Sequence, residues 1–184
     1  MNEIDRARLS LIPTLAERHP DRYIGRTALM KYLYFLQTLR GVPLGYDFSM
    51  YSYGPFDAEV LSQLGTAESL NLVTSTPVSF AGGYGYQIKS SSAAEMFKKQ
   101  SGDFLSGIDG DLNWLIAEFG SMNSAELELA STIVYVDREF QEHGAPEDRA
   151  GLIGLVNEIK PHFKREQVER MFDLLHAKGI LVSV

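Results

Sequence analysis

Four histidines and two close pairs of carboxylates are the side chains of this sequence best suited to metal binding or acid–base chemistry. The carboxylates Glu126 and Glu128, and likewise Asp109 and Asp111, are two positions apart and diverge on a helix, which is typical of a solvated face. The histidines have no H-x-x-x-H spacing, and we interpret them as surface or helix-end residues: His19, His143, His162 and His176. These residues therefore predict neither a catalytic centre nor a metal site.

The usual sequence signatures of catalysis and cofactor binding are missing as well. The chain has no cysteine, which excludes thiolate nucleophiles and thiolate metal sites, and it has no G-x-S-x-G, P-loop or G-x-G-x-x-G pattern. The glycine-rich residues 82–85 have no P-loop lysine and no helix start behind them, so we interpret them as the tip of a hairpin. We therefore predict that the protein is not an enzyme and binds no cofactor.

Five aromatic residues flank a glycine–proline pair in the first half of the chain. They are Tyr46, Phe48, Tyr51, Tyr53 and Phe56, on either side of Gly54-Pro55. Tyrosines beside a rigid turn make good interface anchors, because they bury a large area at a small entropic cost. Alternatively, the rings pack the helix before the turn against the helix after it. The sequence leaves both interpretations open.

The net charge of −7 is unevenly spread along the chain. Residues 1–40 have a net charge of +3, residues 41–88 have −4 with no positive side chain, and residues 89–184 have −6. Because Lys and Arg supply most of a protein's affinity for phosphates, the acidic segment argues against nucleic acid as a partner. The basic residues of the N-terminal region keep DNA binding open as an alternative: Arg6, Arg8, Arg18, Arg22 and Arg26.

Hydrophobic spacing predicts a helix over residues 3–18 and a second helix from an N-cap at Thr27 to Gly41. A third helix is expected to begin at Pro55, because proline is tolerated at the first helical position, and to end near Gly65. Residues 70–76 and 84–88 alternate like the two strands of a hairpin. Helices followed by a hairpin, in this order, predict a winged-helix-like unit.

The remainder of the chain is predicted to be helical. Helices are expected over residues 92–100, 103–119, 147–159 and the segment before Gly179, with a further helix capped by Asn123 and Glu126. Residues 180–184 are expected to add an edge strand. We predict a mainly α fold with a small β-hairpin (α+β), as a single domain of residues 1–184. In it, a winged-helix-like subdomain (1–90) packs on a helical subdomain (91–184).

Neither a signal peptide nor a membrane span is predicted. Charged residues such as Glu3 and Asp5 interrupt the apolar residues of the N-terminus, and no segment approaches the roughly 18 apolar residues of a membrane span. The absence of cysteine fits a reducing compartment. We expect a cytoplasmic protein without a membrane partner.

Three segments together resemble a known family. They are residues 29–37 (LMKYLYFLQ), 41–44 (GVPL) and 51–56 (YSYGPF). This order resembles the SocA-like antitoxin (Panacea) domain, in which a K-L-x-Y-x-x-Q-type helix precedes a G-x-P-L turn and a Y-G-P signature. Tyr51 stands where that family often has tryptophan, and Ser49 replaces a common acidic residue, which favours the related YwgA-like branch. The resemblance extends over residues 26–73 and, more loosely, over 124–135 and 172–181.

The resemblance implies an antitoxin-like domain of bacteria or their phages that neutralises or presents a protein toxin by direct contact. Our leading hypothesis is a protein-binding module whose contact surface includes Tyr51, Tyr53, Gly54, Pro55 and Asp57. The first alternative is a winged-helix transcriptional regulator that binds DNA through its basic N-terminal helix. The second is a small-molecule sensor or an enzyme of unrecognised type, which would need a closed pocket with convergent polar groups.

Overall fold

The chain divides into two units in the computed structural model, which describes residues 1–80, 83–143 and 148–182. The first unit consists of Met1–Ser49 and Phe56–Met122, and the second of Met50–Pro55 and Asn123–Val184. The described part is mainly helical with two small antiparallel hairpins, which confirms the predicted α+β class. Residues 91–122 belong to the first unit, whereas the sequence analysis grouped them with the C-terminal helices.

The first two helices are α1 (Glu3–Arg18) and α2 (Arg26–Arg40). Apolar residues on several faces of α2 are buried. The predicted N-cap at Thr27 is wrong, because Gly25 caps this helix and Thr27 lies inside its first turn. The helix ends at Gly41, whose φ of +66° is the left-handed conformation that glycine adopts without steric cost.

The third helix, α3 (Ala58–Ser69), begins three residues later than predicted and does not stop at Gly65. The residues before it form a short hairpin, in which β1 (Ser49–Tyr51) pairs with β2 (Gly54–Phe56). Pro55 therefore lies in a strand and not at the start of a helix. Proline lacks only the backbone donor, and a two-stranded hairpin has an open edge that tolerates this loss as well as a helix start does.

The hairpin predicted from residues 70–76 and 84–88 is confirmed, although its first strand begins three residues later than predicted. β3 (Val73–Phe80) and β4 (Gly83–Ser90) are antiparallel, with Val73 opposite Ser90. Ile88 of β4 is fully buried and pairs with Ile24 in an isolated bridge. The observed order is two helices, the short hairpin, a third helix and this longer hairpin, and the winged-helix-like assignment stays a prediction. Gly82 of the predicted hairpin tip lies outside the described residues.

Three shorter helices complete the first unit: α4 (Ala94–Lys99), α5 (Gly102–Gly107) and α6 (Asp109–Phe119). The single helix predicted over residues 103–119 is instead divided into α5 and α6 at Ile108. The ring of Phe119 stacks on that of Phe35 in α2, with a centroid distance of 4.0 Å, and both side chains are fully buried. Because α4 and α5 contact α1 and α6 contacts α2, these residues share a core with the N-terminal helices.

The second unit contains α7 (Ser124–His143), α8 (Arg149–Ile159) and α9 (Arg165–Ala177). The predicted cap of α7 is confirmed, since Glu126 accepts a hydrogen bond from the backbone N–H of Asn123 at 2.8 Å and Asn123 accepts one from that of Glu126 at 3.0 Å. No helix in the described ranges combines the length and the apolar composition that are needed to cross a bilayer.

The edge strand predicted for residues 180–184 is not formed by residues 180–182, and residues 183 and 184 lie outside the described ranges. The backbone N–H of Val182 donates to the buried carboxylate of Asp137 at 3.1 Å, and Arg138 donates to the carbonyl of Ile180 at 3.0 Å. Side chains of α7 therefore form hydrogen bonds with backbone groups that would otherwise pair with a neighbouring strand.

His19, at the end of α1, should make the stability of the first unit depend on pH. Burial lowers the pKa of His19 below its ordinary value of 6.5 and outweighs the opposite effects of the Asp21 carboxylate and the Gly120 backbone. The unfolded chain therefore binds the proton more readily, so this contribution to stability is complete above pH 6.5 and falls as the pH drops below that value. We expect the melting temperature of His19→Gln to fall less than that of the wild type on acidification from about pH 7 to about pH 5.5. If the melting temperatures of the wild type and of His19→Gln fall equally with pH in thermal denaturation, the pH dependence comes from other groups.

Candidate functional site

Two exposed tyrosines stand on the turn of the first hairpin, in the segment of residues 51–55 that we call the tyrosine loop. Tyr51 is 64% exposed and Tyr53 is 72% exposed, and Ser52 between them is exposed as well. Large aromatic residues usually bury most of their surface when they serve only packing. The loop therefore exposes two amphipathic rings that are two positions apart in sequence.

Lys160, the residue that follows α8, holds the backbone of the tyrosine loop. Its Nζ donates a hydrogen bond to the carbonyl of Tyr51 at 3.1 Å and another to the carbonyl of Ser52. Lys160 is only 2% exposed, so its ammonium is fixed by burial as well as by these bonds. Two of the three donors of this ammonium are thus used on the loop.

Glu128 of α7 neutralises the buried ammonium of Lys160. Its Oε1 lies 3.1 Å from Nζ, and its side chain is only 8% exposed. The contact is ionic, since the two groups are not aligned as a hydrogen bond. His162 Nε2 lies 3.3 Å from the same oxygen, on a side chain that is 56% exposed, and adds a second positive charge when it is protonated. The loop is therefore anchored to a charged cluster of Lys160, Glu128 and His162.

Gly54 and Pro55, two of the residues predicted to contact a partner, are buried. Gly54 has a φ of +86°, a conformation that L side chains rarely adopt. The pyrrolidine ring of Pro55 fixes its own φ at about −65°, a value common to prolines. These two residues shape the tyrosine loop, and their surface is not offered for contact.

Asp57, the fifth predicted contact residue, is the N-cap of α3 in the first unit. Its Oδ1 accepts a hydrogen bond from the backbone N–H of Glu59 at 2.8 Å, and its Oδ2 accepts one from that of Asp47 at 2.7 Å. Both oxygens of this half-buried carboxylate are therefore engaged within the chain.

Replacing Asp57 by alanine is expected to lower the free energy of unfolding by about 1 kcal/mol, because the first turn of α3 loses its cap. Asp57→Asn keeps an oxygen in the capping position and should retain most of that stability. Urea denaturation of the two variants measures the difference. An unchanged midpoint for Asp57→Ala would show that the cap contributes nothing.

The other residues of the aromatic cluster take part in packing. Tyr46 is buried, with the guanidinium of Arg8 4.2 Å from its ring centroid, and burial raises the pKa of its hydroxyl. Phe48 meets the ring of Tyr34 edge-on, at a centroid distance of 5.2 Å. The two interpretations of the cluster therefore apply to different members: Tyr46 and Phe48 pack, and Tyr51 and Tyr53 are exposed.

The basic residues of the N-terminal region are mostly engaged within the first unit. Arg8 donates to carbonyls of residues 44 and 45, Arg18 pairs with Asp109, Arg22 donates to the carbonyl of Glu17, and Arg26 lies over the ring of Tyr86. Among these five arginines, Arg6 is the one whose side chain makes no hydrogen bond, ion pair or ring contact with a residue that the structure describes. These side chains therefore do not form a continuous basic surface that is available to phosphates.

Lys160, Glu128 and His162 are functional candidates that the sequence analysis did not find in this role. Lys160 is 109 positions from Tyr51, and no local pattern marks it as a ligand of a distant loop. In the described ranges, no group of three or more histidines and carboxylates is arranged to hold a metal ion. Comparison of the sequence with models of protein families and with curated proteins gives no significant match. The resemblance to antitoxin-like domains therefore stays a prediction.

Proposed function

We propose that this chain is a non-catalytic, antitoxin-like protein-binding module of the bacterial cytoplasm, which neutralises or presents a partner protein by direct contact. The observation that carries the proposal is the pair of exposed tyrosines, Tyr51 and Tyr53, on a loop whose backbone is held by the buried Lys160. Gly54 and Pro55 shape this loop through the backbone.

An anchored loop lowers the cost of binding. Association orders side chains and loops at a cost of about 0.5–1.5 kcal/mol for each immobilised side chain, and a tyrosine has only two side-chain torsions to fix. The hydrogen bonds from Lys160 already hold the backbone that carries Tyr51. More of the energy of burying the two rings therefore remains available for affinity, as in interface hot spots rich in tyrosine.

The charge of the chain indicates what kind of partner surface it meets. A net charge of −7 attracts a basic protein and raises the rate at which the two meet. The same charge repels nucleic acid, and four of the five N-terminal arginines are occupied within the first unit. Protein binding is therefore better supported than the alternative of a DNA-binding regulator.

The test is affinity capture from native lysate with tagged wild-type protein, a Tyr51→Ala/Tyr53→Ala variant and a Tyr84→Ala control, followed by mass spectrometry. Tyr84 of β4 is 86% exposed, so the control removes a tyrosine of the first unit that is more accessible than Tyr51 or Tyr53. We expect one stoichiometric protein to bind the wild type and the control and to be lost from the double variant. Loss of about 2 kcal/mol at a single hot spot already weakens binding by about 30-fold.

Two results would contradict the proposal. One is capture of the same protein in equal amount by the double variant, which would place the contact elsewhere. The other is recovery of DNA with no protein partner, which would favour the regulator. Because exposed tyrosines contribute little to folding, the double variant should unfold within about 0.5 kcal/mol of the wild type.

A further inference from the structure

The longer hairpin contains a strand with a free edge. β3 pairs with β4 on one side, and the described ranges contain no further strand beside it. Residues 74–79 are exposed or half-buried, so no described segment covers this side of the strand. A strand edge of this kind presents unpaired backbone N–H and C=O groups, to which another strand can bind. We call it the free edge of β3.

The hydrogen bonds of β4 show which backbone groups of β3 point toward the free edge. The N–H of Ile88 donates to the carbonyl of Ile24 at 2.9 Å, and the carbonyl of Ile88 accepts from the N–H of Ile24 at 3.1 Å. Ser75 is opposite Ile88, so this pair forms no hydrogen bonds between β3 and β4, and the backbone groups of Ser75 point away from β4. Because bonded and non-bonded pairs alternate along an antiparallel ladder, the backbone groups of Pro77 and Ser79 point to the free edge as well.

The composition of β3 favours pairing with another strand. Its eight residues (VTSTPVSF) include four β-branched side chains and no charged one. Proteins usually protect an exposed edge with a short strand, a lysine, a bulge or a proline. The register of β3 with β4 is regular over all eight residues, so Pro77 is the one such device in this strand.

Pro77 stands at the centre of the edge that a second strand would use. When two copies of β3 pair antiparallel about residue 77, Ser75 of one copy lies opposite Ser79 of the other, and the two prolines lie opposite each other. Proline has no N–H, so the two central hydrogen bonds of this ladder cannot form and the two carbonyls of Pro77 stay unpaired. The proline therefore weakens the pairing where the two edges would meet.

We propose that the free edge of β3 is a pairing surface for the same edge of a second copy of this chain, and that Pro77 prevents this pairing. A strand of eight uncharged residues without proline has the composition of segments that associate through their edges. Pro77 thus keeps the longer hairpin two-stranded. This role is independent of the tyrosine loop and of the proposed partner protein.

Sedimentation equilibrium of the full chain over a range of concentrations tests the proposal with Pro77→Thr, which restores the missing donor. We expect the self-association constant of Pro77→Thr to be at least about tenfold larger than that of the wild type, because the dimer gains two hydrogen bonds. The control is Pro20→Thr, which removes an exposed proline of the first unit outside the strands and should behave as the wild type.

The double variant Pro77→Thr/Ser79→Pro returns a proline to another position whose N–H faces the free edge. It should lose the added association, since its ladder again lacks two hydrogen bonds. Hydrogen exchange gives a second measurement. In the wild type the amides of Ser75 and Ser79 should exchange faster than those of Thr74 and Thr76, which bond to β4. In Pro77→Thr, exchange at Ser75 and Ser79 should slow as the concentration rises.

Four results would overturn the proposal. The first is a self-association constant of Pro77→Thr equal to that of the wild type, and the second is an equal increase in Pro20→Thr. The third is a double variant that associates as strongly as Pro77→Thr, which would place the contact away from the free edge. The fourth is equal protection of residues 74–76 and 79 in the wild type, which would mean that the edge is already paired.

Discussion

Replacing Lys160 by methionine is expected to lower the free energy of unfolding by roughly 3–5 kcal/mol, the largest effect that the structure predicts for a single substitution. The substitution leaves the carboxylate of Glu128, which is 8% exposed, in the interior without its nearest counter-ion. It also removes the donor to the carbonyls of Tyr51 and Ser52. An uncompensated buried charge costs far more than the ion pair itself contributes.

The double variant Lys160→Met/Glu128→Met separates these causes. Because both charges are gone, it should regain most of the lost stability, and the remaining deficit should be about 1 kcal/mol for each loop hydrogen bond that is not replaced. Lys89→Met, at an exposed position of the first unit, is the control and should change stability by less than about 0.5 kcal/mol. Urea denaturation read by circular dichroism gives all four values. A double variant as unstable as Lys160→Met would mean that the buried charge is not the cause.

Replacing Arg8 by methionine should lower the free energy of unfolding by roughly 2–4 kcal/mol. Arg8 is 9% exposed, and it donates to the carbonyl of Leu44 at 2.7 Å and to that of Gly45 at 2.6 Å. Its guanidinium also lies 4.2 Å from the ring centroid of Tyr46, an attraction worth about 0.5–2 kcal/mol. Methionine fills similar space, but it leaves the two carbonyls of this turn without their donor.

Arg8→Lys should recover only part of that loss, because an ammonium cannot reproduce the planar fork that reaches two consecutive carbonyls. The matched control is Arg22→Met. Arg22 is exposed and donates to a single carbonyl, that of Glu17. Arg22→Met should therefore lower the free energy of unfolding by less than half as much as Arg8→Met does. Hydrogen exchange of the amides of residues 44–46 should accelerate in Arg8→Met alone. Equal destabilisation by Arg8→Met and Arg22→Met would contradict this role of Arg8.

Local patterns in the sequence predicted most elements of the fold. The spacing of apolar residues and the reciprocal cap of Asn123 and Glu126 act within one or two turns, so they can be recognised from neighbouring residues. The start of α3 was misplaced because Gly54-Pro55 is compatible both with a helix start and with an edge strand. The pairing of β1 with β2 decides between the two, and the capping hydrogen bonds of Asp57 then set the helix start.

Sequence reasoning identified only part of the candidate site. Tyr51 and Tyr53 could be singled out by their residue type beside a rigid turn, but their exposure depends on tertiary packing. Lys160 and Glu128 could not be connected with them, because a single lysine and a single glutamate far apart in sequence carry no pairing signal. Asp57 was assigned to the contact surface on sequence proximity, and its carboxylate is in fact used by two backbone N–H groups.

Site-specific photo-crosslinking at the tyrosine loop tests the central claim most directly. A benzophenone amino acid is placed at residue 53 in one sample and at residue 84 in the other, both exposed tyrosine positions, and the cells are irradiated before lysis. The proposal predicts one protein adduct of defined mass from position 53, absent from position 84 and competed by an excess of the wild-type chain. The same adduct from both positions, or no adduct at position 53 while a partner still co-purifies, would contradict the proposal that Tyr51 and Tyr53 form the contact surface.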